Sequence, residues 1–468
     1  MLALSRAACH PVTMHRRDPS TDVLTQAIVR YAVERTHLDP PPLDQARTPA
    51  ELRAMAGETV TERGIGGLEA LRVFADVLAP ACISVDHPRF LSFVPAAPTD
   101  ASILFDLVVG ASSIYGGSWM EGAGAVFAEN QALRWIADLA GLPAGAGGVF
   151  VSGGTAGNLS ALVVARARWR DGGGPGLDRI RGAIVTSGGA HSSVAAAARV
   201  MDADVVVVPA DDRGRMGGEA VRATLAGLDD ETRARIFAVV ATSGTTNAGV
   251  IDDLAGAADA AATLGAWFHI DGAYGGAALA APSVREKFAG VERADSFIVD
   301  PHKWLFAPFD CCALLYRDPA GARRAHTQHA EYLDVLHGEE EGWNPSDFAH
   351  HLSRRARGLP FWFSLATHGT AAYREAVERT LAVTRDAARA IDDADHVELI
   401  LEPELSIVMF RRLGWSPEDY ARWSDRALSD GMAFVVPTSW RGETVLRFCF
   451  VNPVTSLDDV HVILDSLR

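Results

Sequence analysis

The sequence has few cysteines and no block of basic residues, and both absences exclude classes of protein. Its five cysteines show no metal-ligand spacing, and the adjacent Cys311 and Cys312 lie in an apolar run, so we expect core thiols in a reducing compartment. Lysine and arginine number 43 against 59 acidic residues, a net charge of −16. Nucleic acid and anionic membrane surfaces are therefore not expected as partners.

Long apolar segments are missing as well. No stretch approaches the roughly 20 apolar residues of a membrane span, and the N-terminal residues lack the apolar region of a secretory signal. We therefore expect a cytoplasmic location, with Met14 as an alternative start. A hydrophobic share of 48% over 468 residues predicts two or three structural units with a substantial core.

The pattern of apolar residues changes twice along the chain. A helical pattern broken by "DPPPLD" predicts a helical N-terminal arm over residues 1–85, which needs a packing partner such as a second subunit. Residues 86–355 form the predicted large domain. From about residue 356, a long helical segment followed by "VELILEPELSIVMFRRL", "MAFVVPTSW" and "ETVLRFCFV" predicts a small C-terminal α/β domain over residues 356–468.

The central region predicts an α/β fold with a mostly parallel sheet. Apolar runs alternate there with Ala-rich segments of helix length: "GVFVS", "GAIVTS", "DVVVVPA", "RIFAVVATSG", "AWFHIDGAY", "SFIVD" and "CALLYRD". Strands that are apolar throughout are typical of parallel sheets covered on both faces. In such sheets, ligands bind beyond the carboxyl ends of the strands.

Small or polar residues follow several of these runs. Gly153, Gly154 and Thr155 connect a strand to a helix, where free amides favour an anion. His191 opens the next helix, and Thr246 follows a later strand. The glycine turn alone is equally typical of an ordinary βα turn, a lone histidine at such a position is more often a cap or surface residue, and Thr-rich turns are common.

Asp271 ends an apolar strand and is followed by the small Ala273, and Lys303 stands in "DPHKW" between two apolar runs. Lys303 has three interpretations: it reaches the surface, it pairs with a carboxylate such as Asp300 or Asp310, or it is a reactive amine. An anion site, a flat histidine ring, a hydroxyl, an acid and a lysine together suit pyridoxal 5′-phosphate (PLP), whose aldehyde condenses with a lysine. On that interpretation the apolar surroundings make Lys303 lose its charge more readily.

The motifs "VSGGTAGNLSAL", "AHSS", "HIDGAYGG" and "DPHKW" resemble the group II PLP-dependent amino-acid decarboxylases, most closely the aromatic-L-amino-acid branch. The resemblance runs from about residue 85 to the end of the chain. It implies that Lys303 matches the Schiff-base lysine and Asp271 the partner of the pyridine nitrogen. His191 then matches the histidine on one ring face, and Ala273 the small residue on the other.

The resemblance also implies phosphate-binding positions at Gly153, Gly154, Thr155 and His302, with Thr246 near the cofactor. No metal site is implied. The implied fold is the aspartate-aminotransferase type (PLP fold type I), and the implied assembly is a homodimer that shares its active site. The implied reaction is decarboxylation of an L-amino acid to the amine and CO2 through an external aldimine and a quinonoid.

Two positions depart from the family pattern. Some relatives carry Asn where this chain has Asp300, so Asp300 is left out of the phosphate site. Phe348 aligns with a loop tyrosine that protonates the substrate carbon, and a Phe there accompanies oxidative deamination to an aldehyde. Tyr332, His350 or His351 are alternative proton donors.

The sequence leaves alternatives open for both the substrate and the activity. Tyr115 and Trp119 align with a loop that contacts aromatic substrates across the dimer, but both are equally typical of an interface core. Phenylalanine, tyrosine, tryptophan and dihydroxyphenylalanine all remain candidate substrates, and so does a non-aromatic amino acid. Another PLP enzyme of the same fold and a non-catalytic relative are the rival interpretations.

Overall fold

The computed structural model describes residues 13–15, 17–172, 180–331, 333 and 343–468. The seven apolar runs of the central region all form strands of a single sheet, as predicted. They are β1 (Gly147–Val151), β2 (Ala183–Ser187), β3 (Asp204–Val208), β4 (Ile236–Thr242), β5 (Trp267–Asp271), β6 (Ser296–Val299) and β7 (Cys312–Tyr316).

The strand order is β1-β7-β6-β5-β4-β2-β3. The pairs from β3 through β2, β4 and β5 to β6 are parallel, whereas β7 runs antiparallel to both β1 and β6. The sheet is therefore mostly parallel, which confirms the predicted α/β class.

Both faces of this sheet are covered. Phe150 belongs to one buried cluster, whereas its neighbours Val149 and Val151 belong to another, because successive side chains of a strand point to opposite faces. Among the described residues from 88 to 468, the α-helices are α4 (Asp100–Ser112), α5 (Trp119–Leu139), α6 (Gly154–Gly172), α7 (Ser192–Val200), α8 (Gly218–Ala226), α9 (Asp230–Ala234), α10 (Leu254–Leu264), α11 (Pro301–Trp304), α12 (Pro319–His326), α13 (Leu359–Asp392), α14 (Pro417–Ser429) and α15 (Leu457–Ser466).

A second sheet follows α13. It contains β8 (Val397–Leu401), β9 (Ile407–Arg412), β10 (Thr438–Trp440) and β11 (Glu443–Cys449), all antiparallel, in the order β10-β11-β9-β8. Of the predicted strand "MAFVVPTSW", only Thr438–Trp440 joins this sheet. Pro437 has no N–H to donate to a ladder, and Phe434 instead forms an isolated bridge with Phe90.

The chain divides into two compact units, residues 1–87 and residues 88–468. The first unit contains α1 (Pro19–Thr36), α2 (Pro49–Ala56) and α3 (Gly67–Val73), and α3 continues into a π-helical turn over Phe74–Leu78. The predicted three-domain division at residues 85 and 355 stays a prediction. Among the described helices, none combines the length and the apolar character needed to cross a bilayer.

Candidate active site

The residues that follow the strands of the large sheet meet in a cavity of about 270 Å³. They come from the ends of β1, β2, β4, β5 and β6, where ligands of parallel sheets bind. All nine predicted site residues line this cavity: Gly153, Gly154, Thr155, His191, Thr246, Asp271, Ala273, His302 and Lys303.

The glycine turn between β1 and α6 is closely packed at Gly154. A Cβ atom on Gly154 would lie 3.1 Å from Ala273 Cβ and 3.4 Å from Asp300 Oδ2. α6 begins at Gly154 and is 19 residues long, so its first backbone N–H groups and its dipole face the cavity side of the turn. This turn can accept an anion close to the backbone.

Lys303 forms a buried ion pair with Asp300. Lys303 Nζ lies 2.9 Å from Asp300 Oδ2, with 23% of the lysine side chain and 2% of the aspartate side chain exposed. Burial alone would lower the pKa of Lys303, but the negative charges of Asp300 and Asp271 outweigh it and hold this pKa above its usual value.

The pKa of the Asp300 carboxyl group shifts in the opposite direction: burial works to raise it, but the positive charge of Lys303, with a smaller contribution from His302, holds it below its usual value. The expectation that Lys303 loses its charge more readily is therefore wrong for the cofactor-free protein. The reason is Asp300, which the sequence offered as one possible partner. Its second oxygen, Oδ1, is buried and accepts no hydrogen bond among the described residues.

Asp271 closes β5 and is 3% exposed. Its Oδ1 accepts the backbone N–H of Ala273 at 3.0 Å, and its Oδ2 accepts Asn158 Nδ2 at 2.8 Å. Hydrogen bonds to a carboxylate are among the stronger ones in proteins. Asp271 is thus held in one orientation at the cavity wall.

The two histidines are also oriented by their neighbours. His191 Nδ1 accepts the backbone N–H of Ser193 at 3.2 Å and lies 2.8 Å from Ser193 Oγ. His302 Nδ1 accepts the backbone N–H of Cys311 at 2.9 Å. Burial lowers the pKa of His302, although Asp300 works against this effect. A neutral His302 then carries its hydrogen on Nε2.

The family model described as "Pyridoxal-dependent decarboxylase conserved domain" matches residues 49–413. The chain belongs to this family of decarboxylases. The predicted family, fold type, cofactor and enzyme class are confirmed: the protein is a PLP-dependent carboxy-lyase.

Several known proteins are similar to this decarboxylase along most of their length. The aromatic-L-amino-acid decarboxylase of Bacillus atrophaeus is 28% identical over 459 residues, which cover 95% of this chain and 93% of that protein. The L-2,4-diaminobutyrate decarboxylase of Rhizobium meliloti (strain 1021) is 31% identical over 422 residues, covering 88% and 83%. The solved structure of Oryza sativa TDC with PLP and tryptamine has a TM-score of 0.86 at 25% identity, covering 97% and 99%.

The cavity of the decarboxylase suits PLP chemically. The glycine turn offers backbone N–H groups and a helix N-terminus to a phosphate, and Asp271 offers a carboxylate to a protonated ring nitrogen. Lys303 is the amine in the same cavity.

Sequence reasoning missed several residues of the cavity, among them Asn158, Ser193, Tyr274 and Phe309. Asn158 lies one helical turn after Gly154 on α6, and Ser193 lies two residues after His191. Proximity to a recognised motif is the signal that could have found them. Nothing in the sequence marks Phe309, which is 55% exposed and lies with its ring centroid 4.8 Å from that of His302.

Phe348, which was interpreted as a loop residue over the site, is not among the described residues that line the cavity. Its side chain is 1% exposed and stacks on Trp343 at a centroid distance of 4.2 Å. Its carbonyl oxygen accepts the hydroxyl of Tyr316 at 3.0 Å. Phe348 is therefore a core residue of this chain, which argues against a role over the substrate, and its alignment with the loop tyrosine stays a prediction.

The other candidate donors and substrate contacts are also outside the group of described residues that line the cavity. The Tyr115 hydroxyl donates to the carbonyl of Leu352 at 2.9 Å, and the backbone N–H of Trp119 donates to Asn344. His350 and His351 do not line the cavity either. The remaining predicted donor, Tyr332, lies outside the described residues.

Proposed function

We propose that this protein decarboxylates an aromatic L-amino acid and releases the amine and CO2. The observation that carries the proposal is the convergence of all nine motif residues on one cavity, which contains a lysine and three carboxylates. When bound, PLP supplies the electron sink for the reaction. The intact set of Lys303, Asp271 and His191 argues against a non-catalytic relative.

We assign roles to the motif residues as follows. Lys303 provides the amine that joins the cofactor, Asp271 faces the ring nitrogen, and His191 and Ala273 lie against the two ring faces. The fixed orientation of Asp271 supports its role, because a carboxylate that needs no rearrangement binds a ring N–H at lower cost. The phosphate positions are Gly153, Gly154, Thr155 and His302, and Thr246 lies beside the cofactor.

An aromatic substrate is supported by Phe309, whose exposed ring forms part of the cavity wall. Several similar proteins are named as aromatic-amino-acid decarboxylases, but the similarity to a diaminobutyrate decarboxylase makes a cationic side chain the second candidate. Asp310 in the cavity is the acid that would attract such a side chain. Since Asp310 is already paired with Arg357 Nη1 at 2.8 Å, we favour the aromatic substrate.

We propose the amine rather than the aldehyde as the product, because the residue on which the aldehyde interpretation rested is buried in the core. We also keep the homodimer and the cytoplasmic location as proposals. The dimer is supported by large apolar side chains exposed on α4 and α5, with exposed fractions from 41% to 58%: Leu104, Leu107, Val108, Met120 and Phe127.

The test is a screen of single L-amino acids for CO2 release by the purified yellow protein, with amine, aldehyde and peroxide measured together. We expect stoichiometric amine from an aromatic substrate, and loss of the yellow colour on treatment with borohydride. Faster turnover of 2,4-diaminobutyrate, or aldehyde as the sole product, would contradict the proposal. Sedimentation of the wild type against Leu107→Glu tests the dimer, which the introduced charge should dissociate.

A further inference from the structure

A buried hydrogen-bond network lies behind the two residues that we assign to the cofactor ring, and it centres on Asn158. The Asn158 side chain is 1% exposed. Its Nδ2 donates both hydrogens, one to Asp271 Oδ2 at 2.8 Å and one to Ser193 Oγ at 2.8 Å. One amide group thus contacts Asp271 directly and His191 through Ser193.

The orientation of that amide is fixed from its other side. Asn158 Oδ1 lies 2.8 Å from His269 Nε2, and His269 Nδ1 lies 2.8 Å from Ser296 Oγ. Ser296 Oγ in turn accepts the indole N–H of Trp267 at 2.7 Å. Because an indole N–H only donates, the hydroxyl hydrogen of Ser296 is available for His269 Nδ1.

At the other end of the network a carboxylate only accepts, so Asn158 turns its Nδ2 to Asp271 and its Oδ1 to His269, which therefore carries its hydrogen on Nε2 and donates it to Asn158. Burial lowers the pKa of His269 to about 4, although the charge of Asp271 opposes this effect, so the ring is neutral at pH 7. Every hydrogen bond from Trp267 to Asp271 therefore has one direction. An inverted Asn158 amide would aim its carbonyl at the Asp271 carboxylate and its N–H groups at His269.

The branch to His191 has a direction too. Ser193 Oγ accepts from Asn158, which leaves its own hydrogen for His191 Nδ1 at 2.8 Å. The backbone N–H of Ser193 also donates to that nitrogen. A neutral His191 therefore keeps its hydrogen on Nε2, and Nδ1 is unavailable to any ligand.

We propose that Asn158 is a positioning residue that couples Asp271 to His191, and that His269 sets the orientation in which it does so. The inference rests on the proposed roles of Asp271 and His191 toward the cofactor ring. Asn158 touches neither substrate nor reacting atoms in this role. It fixes the ring-nitrogen acceptor and the ring-face histidine with a single amide.

The experiment measures PLP binding to the cofactor-free protein by quenching of its tryptophan fluorescence, so that no turnover is needed. We expect Asn158→Leu to weaken binding by about 10- to 100-fold, the fold-change equivalent to losing one hydrogen bond to a charged group. The visible circular dichroism of the loaded protein should change as well, because the ring is held differently. Ser424→Ala is the matched control. It removes a buried hydrogen bond from Ser424 to the carbonyl of Val435, neither of which lines the cavity, and it should change neither the PLP affinity nor the dichroism.

A second pair of variants keeps the test independent of whether Asn158→Leu folds. His269→Gln retains an N–H group where Nε2 stood and should bind PLP within about threefold of the wild type, whereas His269→Phe loses the donor and should bind at least tenfold more weakly. Equal binding by His269→Gln and His269→Phe would overturn the inference. So would wild-type binding and dichroism in a folded Asn158→Leu.

Asp271→Asn separates this inference from the proposed function. Wild-type PLP affinity in Asp271→Asn would refute the proposed role of Asp271 itself. If Asp271→Asn weakens binding but Asn158→Leu does not, the proposed site stands and only the coupling through Asn158 fails.

Discussion

Replacing Asp300 by asparagine should lower the pKa of Lys303 in the cofactor-free protein. Burial already favours the neutral amine, and the ion pair with Asp300 Oδ2 at 2.9 Å is what opposes it most strongly. Asparagine has nearly the same shape as aspartate but carries no charge. The substitution therefore leaves the burial of Lys303 in place and removes its main counter-charge.

The magnitude follows from the distance and the exposure. At an effective dielectric constant of about 20, unit charges separated by 2.9 Å interact by about 6 kcal/mol. Water screens part of this energy because 23% of the Lys303 side chain is exposed. An adjacent opposite charge commonly shifts a pKa by about 1–3 units, or about 1.4–4 kcal/mol. We expect a decrease of that size in Asp300→Asn.

The assay uses a property of the sequence: its two lysines are Lys287 and Lys303. Protein labelled with 13C at lysine Cε should give two NMR signals, and the exposed Lys287 serves as the internal reference for the pH titration. Asp310→Asn is the matched control, because Asp310 lines the same cavity but pairs with Arg357. Equal titration midpoints for Lys303 in the wild type and Asp300→Asn would refute the reasoning.

Three further predictions concern the turn, the core and acid stability. Gly154→Ala should weaken PLP binding at least tenfold in a fluorescence titration, because the added Cβ would lie only 3.1 Å from Ala273 Cβ. Gly217→Ala is the control and should bind PLP normally, since a Cβ added there has no atom within 4 Å. Phe348→Tyr should lower the free energy of unfolding, measured in urea, by about 1–3 kcal/mol, because it buries a hydroxyl in a filled core. The same variant should leave the ratio of amine to aldehyde unchanged. A switch in product would contradict our placement of Phe348. Burial lowers the pKa of His326 to about 4 from the usual 6.5, so between these values the unfolded chain binds a proton that the folded chain does not. The free energy of unfolding should therefore decrease as the pH falls through that window, by about 2 kcal/mol at pH 5. Urea unfolding at a series of pH values tests this for the wild type and His326→Gln. If His326→Gln lost as much stability as the wild type, the prediction would be disproved.

The large sheet could be predicted because its strands are buried on both faces. Such strands are apolar at every position and stand out from the Ala-rich helices between them. The strand predicted over "MAFVVPTSW" has the same composition, but its hydrogen-bond partners decide the outcome. Phe434 pairs with Phe90, which is more than 300 residues away, and no local pattern reports that contact.

The site residues that could be predicted are those that end a strand of the large sheet or come soon after one. Asn158 was not predicted, because a polar side chain in the first turns of a helix usually faces water. Its burial depends on contacts with Asp271 and His269, which lie on β5, more than 100 residues later in the chain. The charge of Lys303 was predicted with the wrong sign of shift, although a signal was present. Asp300 stands three residues before Lys303, a spacing at which side chains of a helical turn are neighbours.

The pairing of Asp300 with Lys303 also explains how an acid is tolerated beside the proposed phosphate site. Asp300 Oδ2 lies close to the glycine turn, since a Cβ on Gly154 would come within 3.4 Å of it. An unpaired carboxylate there would repel an anion, but the Lys303 ammonium at 2.9 Å makes the pair neutral overall. The backbone N–H groups at the start of α6 then dominate the field that the anion meets. The charge state of Lys303 and the strength of anion binding at Gly154 are therefore linked in this chain, because neutralising the lysine exposes the charge of Asp300.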